Sequence, residues 1–168
     1  MNIQDLRKIN SFKSADESND TRRYTAGNAA VNMLFYAKEL FRNFEDYEKA
    51  DKNSRIAQVL FSAIRDNLNN YVQAFMDCAI VLCDSSSTTL RSLIRSFLSE
   101  YEMLGDMKSW VEFLIRRNDL IHDYLSYDFL NDELYNALLN YSDCVIELAD
   151  FIQRELKNKG LLDTKVRR

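Results

Sequence analysis

SRIAQVLFSAIRDNLNNYVQAFMDCAIVLC, running from Ser54 to Cys83, decides the fold class. Apolar residues return every three or four positions along it, through Ile56, Val59, Leu60, Ala63, Ile64, Leu68, Tyr71, Val72, Phe75, Met76, Ala79, Ile80 and Cys83. That is the spacing of one face of an α-helix. Ser54 can cap its start, because a serine hydroxyl accepts one of the orphan backbone N–H groups of a first turn. Opposite the ladder, Asp66, Asn70, Gln73 and Asp77 form a polar stripe, whose plainest reading is a solvated face.

The same period appears on both sides. Upstream, Ala30, Met33, Leu34, Ala37, Leu40, Phe41, Phe44 and Tyr47 mark a helix beginning near Thr25 and ending at the polar stretch Lys49 to Asn53. Downstream, Asp84 to Thr89 reads as a loop in which Ser and Thr side chains compete for backbone hydrogen bonds. Leu90, Leu93, Ile94, Phe97, Leu98 and Tyr101 then form the inward face of a third helix. Gly105 breaks it. A fourth starts near Asp106 with Met107, Trp110, Val111 and Leu114 inward, and Asn131 caps a fifth carrying Leu134, Tyr135, Leu138, Tyr141, Val145, Leu148, Ile152 and Leu156. Short connections force neighbouring helices side by side, so the expectation is an all-α, antiparallel up-and-down bundle of about five helices. Its span is 24–158, after a polar lead-in at 1–23 that is frayed or partly helical and before a basic tail at 159–168.

Composition points the same way. The 168 residues suit one domain with a real core, 46% are hydrophobic, and there is no proline and only three glycines to interrupt helices or build tight turns. No apolar run could span a bilayer and the polar start lacks a signal peptide's apolar stretch, so the chain reads as cytoplasmic with no membrane partner. Cys78, Cys83 and Cys144 sit on helical patterns without the spacing of a zinc site and read as small apolar residues. A net charge of −4 repels phosphate backbones overall, so any contact with RNA must be local.

The candidate chemistry lies in Arg117-Asn118-Asp119-Leu120-Ile121-His122-Asp123-Tyr124. His122 is the only histidine, and imidazole is the side chain whose ordinary pKa suits proton transfer near neutral pH. On an ideal helix Arg117 and Tyr124 lie on nearly one face, while Asn118 and His122 stack about 140° or less away. The four do not converge without a bend, a curled arginine or a second copy across a two-fold axis. Spacing alone favours a plainer role, in which Arg117 and His122 hydrogen-bond helix ends. Asp119 and Asp123 face another side, and with one histidine and no matched acidic cluster no metal or cofactor site is expected.

The segment RNDLIHDY resembles the R-x4-H-x-Y motif of HEPN domains, with the polar residue that family favours directly after the arginine. The nearest group is HepT, the HEPN partners of minimal nucleotidyltransferases, in which the motif also sits late in the penultimate helix. YLSYDFLNDELYNALLNYSDCVIELADFI is similar to the helix that follows it there, and the Ser54 to Cys83 stretch is similar to that group's long helix, with its mid-helix aspartate matched by Asp77. The similarity covers residues 26 to 157, roughly three quarters of the chain.

The resemblance implies a homodimer whose two motifs line a shared cleft, and a ribonuclease toxin. Its antitoxin would be a cognate nucleotidyltransferase that attaches AMP to the motif tyrosine. Carried over residue by residue, Arg117 holds phosphate and transition-state charge, His122 is the acid or base, Asn118 orients, Tyr124 is the modified hydroxyl and Asp77 is a supporting residue. The family also contains binding modules, so a non-catalytic nucleotide- or RNA-binding subunit serving a nucleotidyltransferase is the alternative. The polar segment before residue 24 lies outside the similarity.

Overall fold

The computed structural model describes the backbone of residues 3–87, 89–116 and 132–162, and side chains from residue 26 onward. Among the described residues there are five α-helices and no strand: α1 Ile3–Lys49, α2 Arg55–Leu82, α3 Leu90–Glu100, α4 Gly105–Phe113 and α5 Asp132–Asn158. A 3-10 turn, Leu114–Arg116, follows α4 directly. The all-α bundle is what the apolar periodicity predicts.

The helix ends follow from local chemistry. Ser54 caps α2, its Oγ accepting from the Ala57 N–H at 3.1 Å, and Thr89 caps α3 by accepting from Ser92 at 3.4 Å. The α1–α2 link is an Asx turn in which the Asn53 N–H donates to Asp51 Oδ1 at 3.1 Å. Lys52 donates to the Tyr47 carbonyl and lies 3.9 Å from the centre of the Tyr47 ring. Gly105 opens α4 at φ +56°, a left-handed conformation that glycine adopts without steric cost. Asn131, the expected cap of the last helix, lies outside the described residues. The first helix is longer than the Thr25 start its apolar face suggests, because its backbone is helical from Ile3.

Cross-contacts fix the topology. Cys78 Sγ lies 3.7 Å from the Ala26 carbonyl, so α1 and α2 form an antiparallel hairpin. Gln153 Nε2 donates to the Ala30 carbonyl at 3.3 Å, while the Tyr135 ring meets Phe44 edge-on at 5.5 Å, so α5 is also antiparallel to α1. The helices α2 and α5 are therefore parallel, and Lys159, which reaches both Glu100 and the Leu82 carbonyl, sets the end of α3 level with the end of α2. Phe97 of α3 meets Phe75 at 5.2 Å and Phe151 at 6.2 Å. Trp110 of α4 meets Tyr71 at 6.1 Å and Tyr141 at 6.3 Å.

The core is apolar throughout and contains no buried charged residue among those described. Met33, Ala37 and Leu40 of α1, Leu93, Ile94 and Phe97 of α3, and Leu148, Ile152 and Leu156 of α5 are all fully buried where the periodicity expects them. The beginning of α2 differs. Ala57 and Phe61 take the inward positions there, while Ile56 and Val59 are 67% and 61% exposed. The reason is angular: Val59 precedes Asp66 by seven residues, two helical turns, and so continues the polar stripe rather than the apolar one. Cys78 and Cys144 are buried free thiols and Cys83 is half-buried.

Candidate functional site

The RNDLIHDY segment follows α4 and its 3-10 turn, and α5 begins eight residues after Tyr124; both helices are anchored. Trp110 is fully buried and donates from Nε1 to the Tyr71 hydroxyl at 3.2 Å. That hydroxyl in turn donates to the Val145 carbonyl at 2.9 Å. One hydrogen-bond chain therefore joins α4, α2 and α5. Burial holds the Tyr71 phenol far above its ordinary pKa, with the bond from Trp110 opposing the shift, so it stays a neutral donor. Phe113 stacks on Trp110 with centroids 5.7 Å apart and planes 19° from parallel.

After Phe113 the helix tightens into the 3-10 turn that ends at Arg116. Arg116 forms an ion pair with Glu133 in the first turn of α5, so the chain leaves and re-enters the described bundle at one place. Tyr135, two residues further, hydrogen-bonds the Glu48 carboxylate at the end of α1. That bond raises the Tyr135 pKa, because ionising the phenol beside a carboxylate would bring two negative charges together. Arg116, Glu133, Tyr135 and Glu48 therefore tie α1, α5 and the 3-10 turn together at one end of the bundle.

Arg117, Asn118, His122 and Tyr124 lie outside the described residues. Asp77 is described and half-buried, and its Oδ1 accepts from Gln73 Nε2 one turn earlier at 3.2 Å. It adjoins Cys78, which packs at Ala26, whereas Tyr135 packs at Phe44 and Glu48. At 1.5 Å rise per residue those levels of α1 are roughly 30 Å apart. The structure therefore sets Asp77 apart from both described flanks of the motif; of the polar stripe, Asp66, Asn70 and Gln73 are exposed and Asp77 is half-buried.

Sequence reasoning did not single out Arg116, Glu133 or the Tyr71–Trp110–Val145 chain. Each depends on partners far apart in sequence, and no local pattern signals such pairings. Among the described residues no group of His, Cys, Asp and Glu is placed to hold a metal ion, and no helix is long and apolar enough to cross a membrane. No protein-family model, no curated protein and no solved structure matches the chain.

Proposed function

We propose that this chain is a HEPN-type, metal-independent endoribonuclease acting as the toxin of a toxin–antitoxin pair. The observation that carries the reading is the sequence Arg117-Asn118 to His122 and Tyr124, with arginine, histidine and tyrosine all present at the family's spacing. Two features support it: the all-α bundle that the family implies, and the anchoring of the chain just before Arg117 by Trp110 and by Arg116, which pairs with Glu133 nine residues beyond Tyr124.

The chemistry requires no metal. One His122 imidazole takes the proton from a ribose 2′-OH, whose oxygen attacks the adjacent phosphorus. A second imidazole, from the other copy of a homodimer, protonates the departing 5′-oxygen. The products are a 2′,3′-cyclic phosphate and a free 5′-hydroxyl. Arg117 stabilises the charge gathering on the phosphoryl oxygens, a task that suits a planar, permanently charged fork. Asn118 orients the phosphate, and AMP attached to the Tyr124 hydroxyl by a partner nucleotidyltransferase blocks the site. The overall negative charge confines RNA binding to this patch.

Inducible expression tests the proposal. Growth arrest by the wild-type chain, relieved by His122→Ala or Arg117→Ala, is the expected result. Equal tolerance of all three forms would overturn it. Retention of a nucleotide by purified protein that leaves RNA intact would favour the non-catalytic binding subunit instead.

A further inference from the structure

Away from the motif, a cleft of about 760 Å³ opens between α5 and the connection from α3 to α4. That is the size of a site for a small molecule or a short peptide. Met103 and Met107 on one wall and Phe151 on the other give it an apolar middle. The Phe151 ring is itself fixed by the core, meeting Tyr101 edge-on at 5.5 Å and Phe97 at 6.2 Å.

The charges of the cleft are sorted by sign. Glu147, Asp150, Arg154 and Lys157 recur at steps of three and four residues, so they share one face of α5, with the acids first and the bases last. Glu102, on the opposite wall, joins the acids. Glu147 to Arg154 and Asp150 to Lys157 are each about 10 Å of helix rise, which sets the distance between the two charged ends. Among the described residues these five side chains form no ion pair, even though Asp150 and Arg154 stand one helical turn apart. Both ends are therefore open to a ligand.

We propose that this cleft binds short apolar peptides with both termini free, the ammonium held among Glu102, Glu147 and Asp150 and the carboxylate at Arg154 and Lys157. Charge, length and surface chemistry all select such a ligand. A simple cation or anion would match one end of the cleft and be repelled by the other, whereas a zwitterion matches both. An extended tripeptide, at about 3.3 Å per residue, sets its termini about 10 Å apart, the spacing of the two charged ends. Methionine side chains are flexible and polarizable, so Met103 and Met107 accommodate varied aliphatic side chains without selecting one. The inference is independent of the ribonuclease reading.

Methyl-labelled methionine NMR on the full chain tests it, with trileucine as the probe. Met103 and Met107 line the cleft and report on it, while Met33, fully buried in α1, is the internal control. The expected result is a saturable shift of the Met103 and Met107 methyl resonances, with Met33 unmoved. Blocking either end of the peptide, by N-acetylation or by C-amidation, should weaken binding about fivefold, the scale of one exposed ion pair. Glu147→Gln with Asp150→Asn should weaken the free peptide by a similar factor and leave the affinity of the N-acetyl peptide unchanged, a combination that a general disturbance of the fold does not produce. Absence of any shift at about 10 mM peptide, well above the dissociation constant of even a millimolar site, would overturn the inference. So would equal binding of the free, acetylated and amidated peptides, which would make the cleft an apolar surface indifferent to charge.

Discussion

The two ends of the bundle are held by different forces. At the end where the chain enters and leaves the motif segment, the ties are polar and partly exposed: Arg116 with Glu133, Tyr135 with Glu48, and Lys52 with Tyr47. At the opposite end, Phe75, Phe97, Tyr101 and Phe151 pack edge to face, and Lys159 donates to the Leu82 carbonyl at 2.8 Å, satisfying an acceptor that the end of α2 leaves open. Exposed ion pairs contribute little to stability, whereas buried aromatic clusters contribute a great deal. The motif end is therefore where side chains can change at small cost to the fold, and the far end is where the fold is secured.

The largest effect should come from the aromatic end. Phe97→Ala removes a fully buried ring that touches Phe75, Tyr101 and Phe151, and should cost about 3–5 kcal/mol in urea-unfolding free energy. A loss below about 1 kcal/mol would erase the contrast between the two ends.

Next comes the polar chain that joins the helices. Tyr71→Phe leaves the Trp110 N–H and the Val145 carbonyl without their buried partner, at a cost of about 1–3 kcal/mol. The same residue predicts a pH dependence. Burial raises the Tyr71 phenol and the Cys78 thiol above their ordinary values of 10.0 and 9.0. Folding therefore favours their protonated forms, and the unfolded chain releases those protons first. Their contribution is fully present below about pH 9 and is lost progressively as the pH rises further. The urea midpoint should fall steadily from pH 9 to 11, and Tyr71→Phe should flatten that fall. A midpoint independent of pH over this range would contradict the assignment.

Much of this was legible in the sequence. The inward faces of α1, α3 and α5 follow from periodicity, and Val31, Phe35 and Leu139 lie exposed off those faces. The start of α2 has apolar residues on two sides, and spacing alone could not choose Ala57 and Phe61 over Ile56 and Val59; their angle to Asp66 decides it. The placement of α3 and α4 rests on contacts from Phe97 and Trp110 to distant helices, which no local pattern encodes. The motif was readable as letters. The Arg116–Glu133 pair beside it, and the separation of Asp77 from its described flanks, are tertiary facts.

Smaller effects sharpen the contrast. Lys159→Met takes a donor from the Leu82 carbonyl and a charge from beside Glu100, and should cost about 1 kcal/mol. Arg116→Ala, at the motif end, should change stability by less than about 1 kcal/mol because the pair is more than a third exposed on both sides. Chemical denaturation of the two variants side by side checks their order, and a larger loss from Arg116→Ala would reverse the comparison.

The central claim is that Arg117 and His122 cleave RNA without a metal. The most direct measurement incubates the purified chain with RNA in excess EDTA and examines the fragment ends. The account predicts fragments bearing 2′,3′-cyclic phosphate and 5′-hydroxyl ends from the wild-type protein, with the rate reduced at least about a hundredfold by His122→Ala or Arg117→Ala. RNA left intact by the wild type, or cut equally by all three proteins, would contradict it.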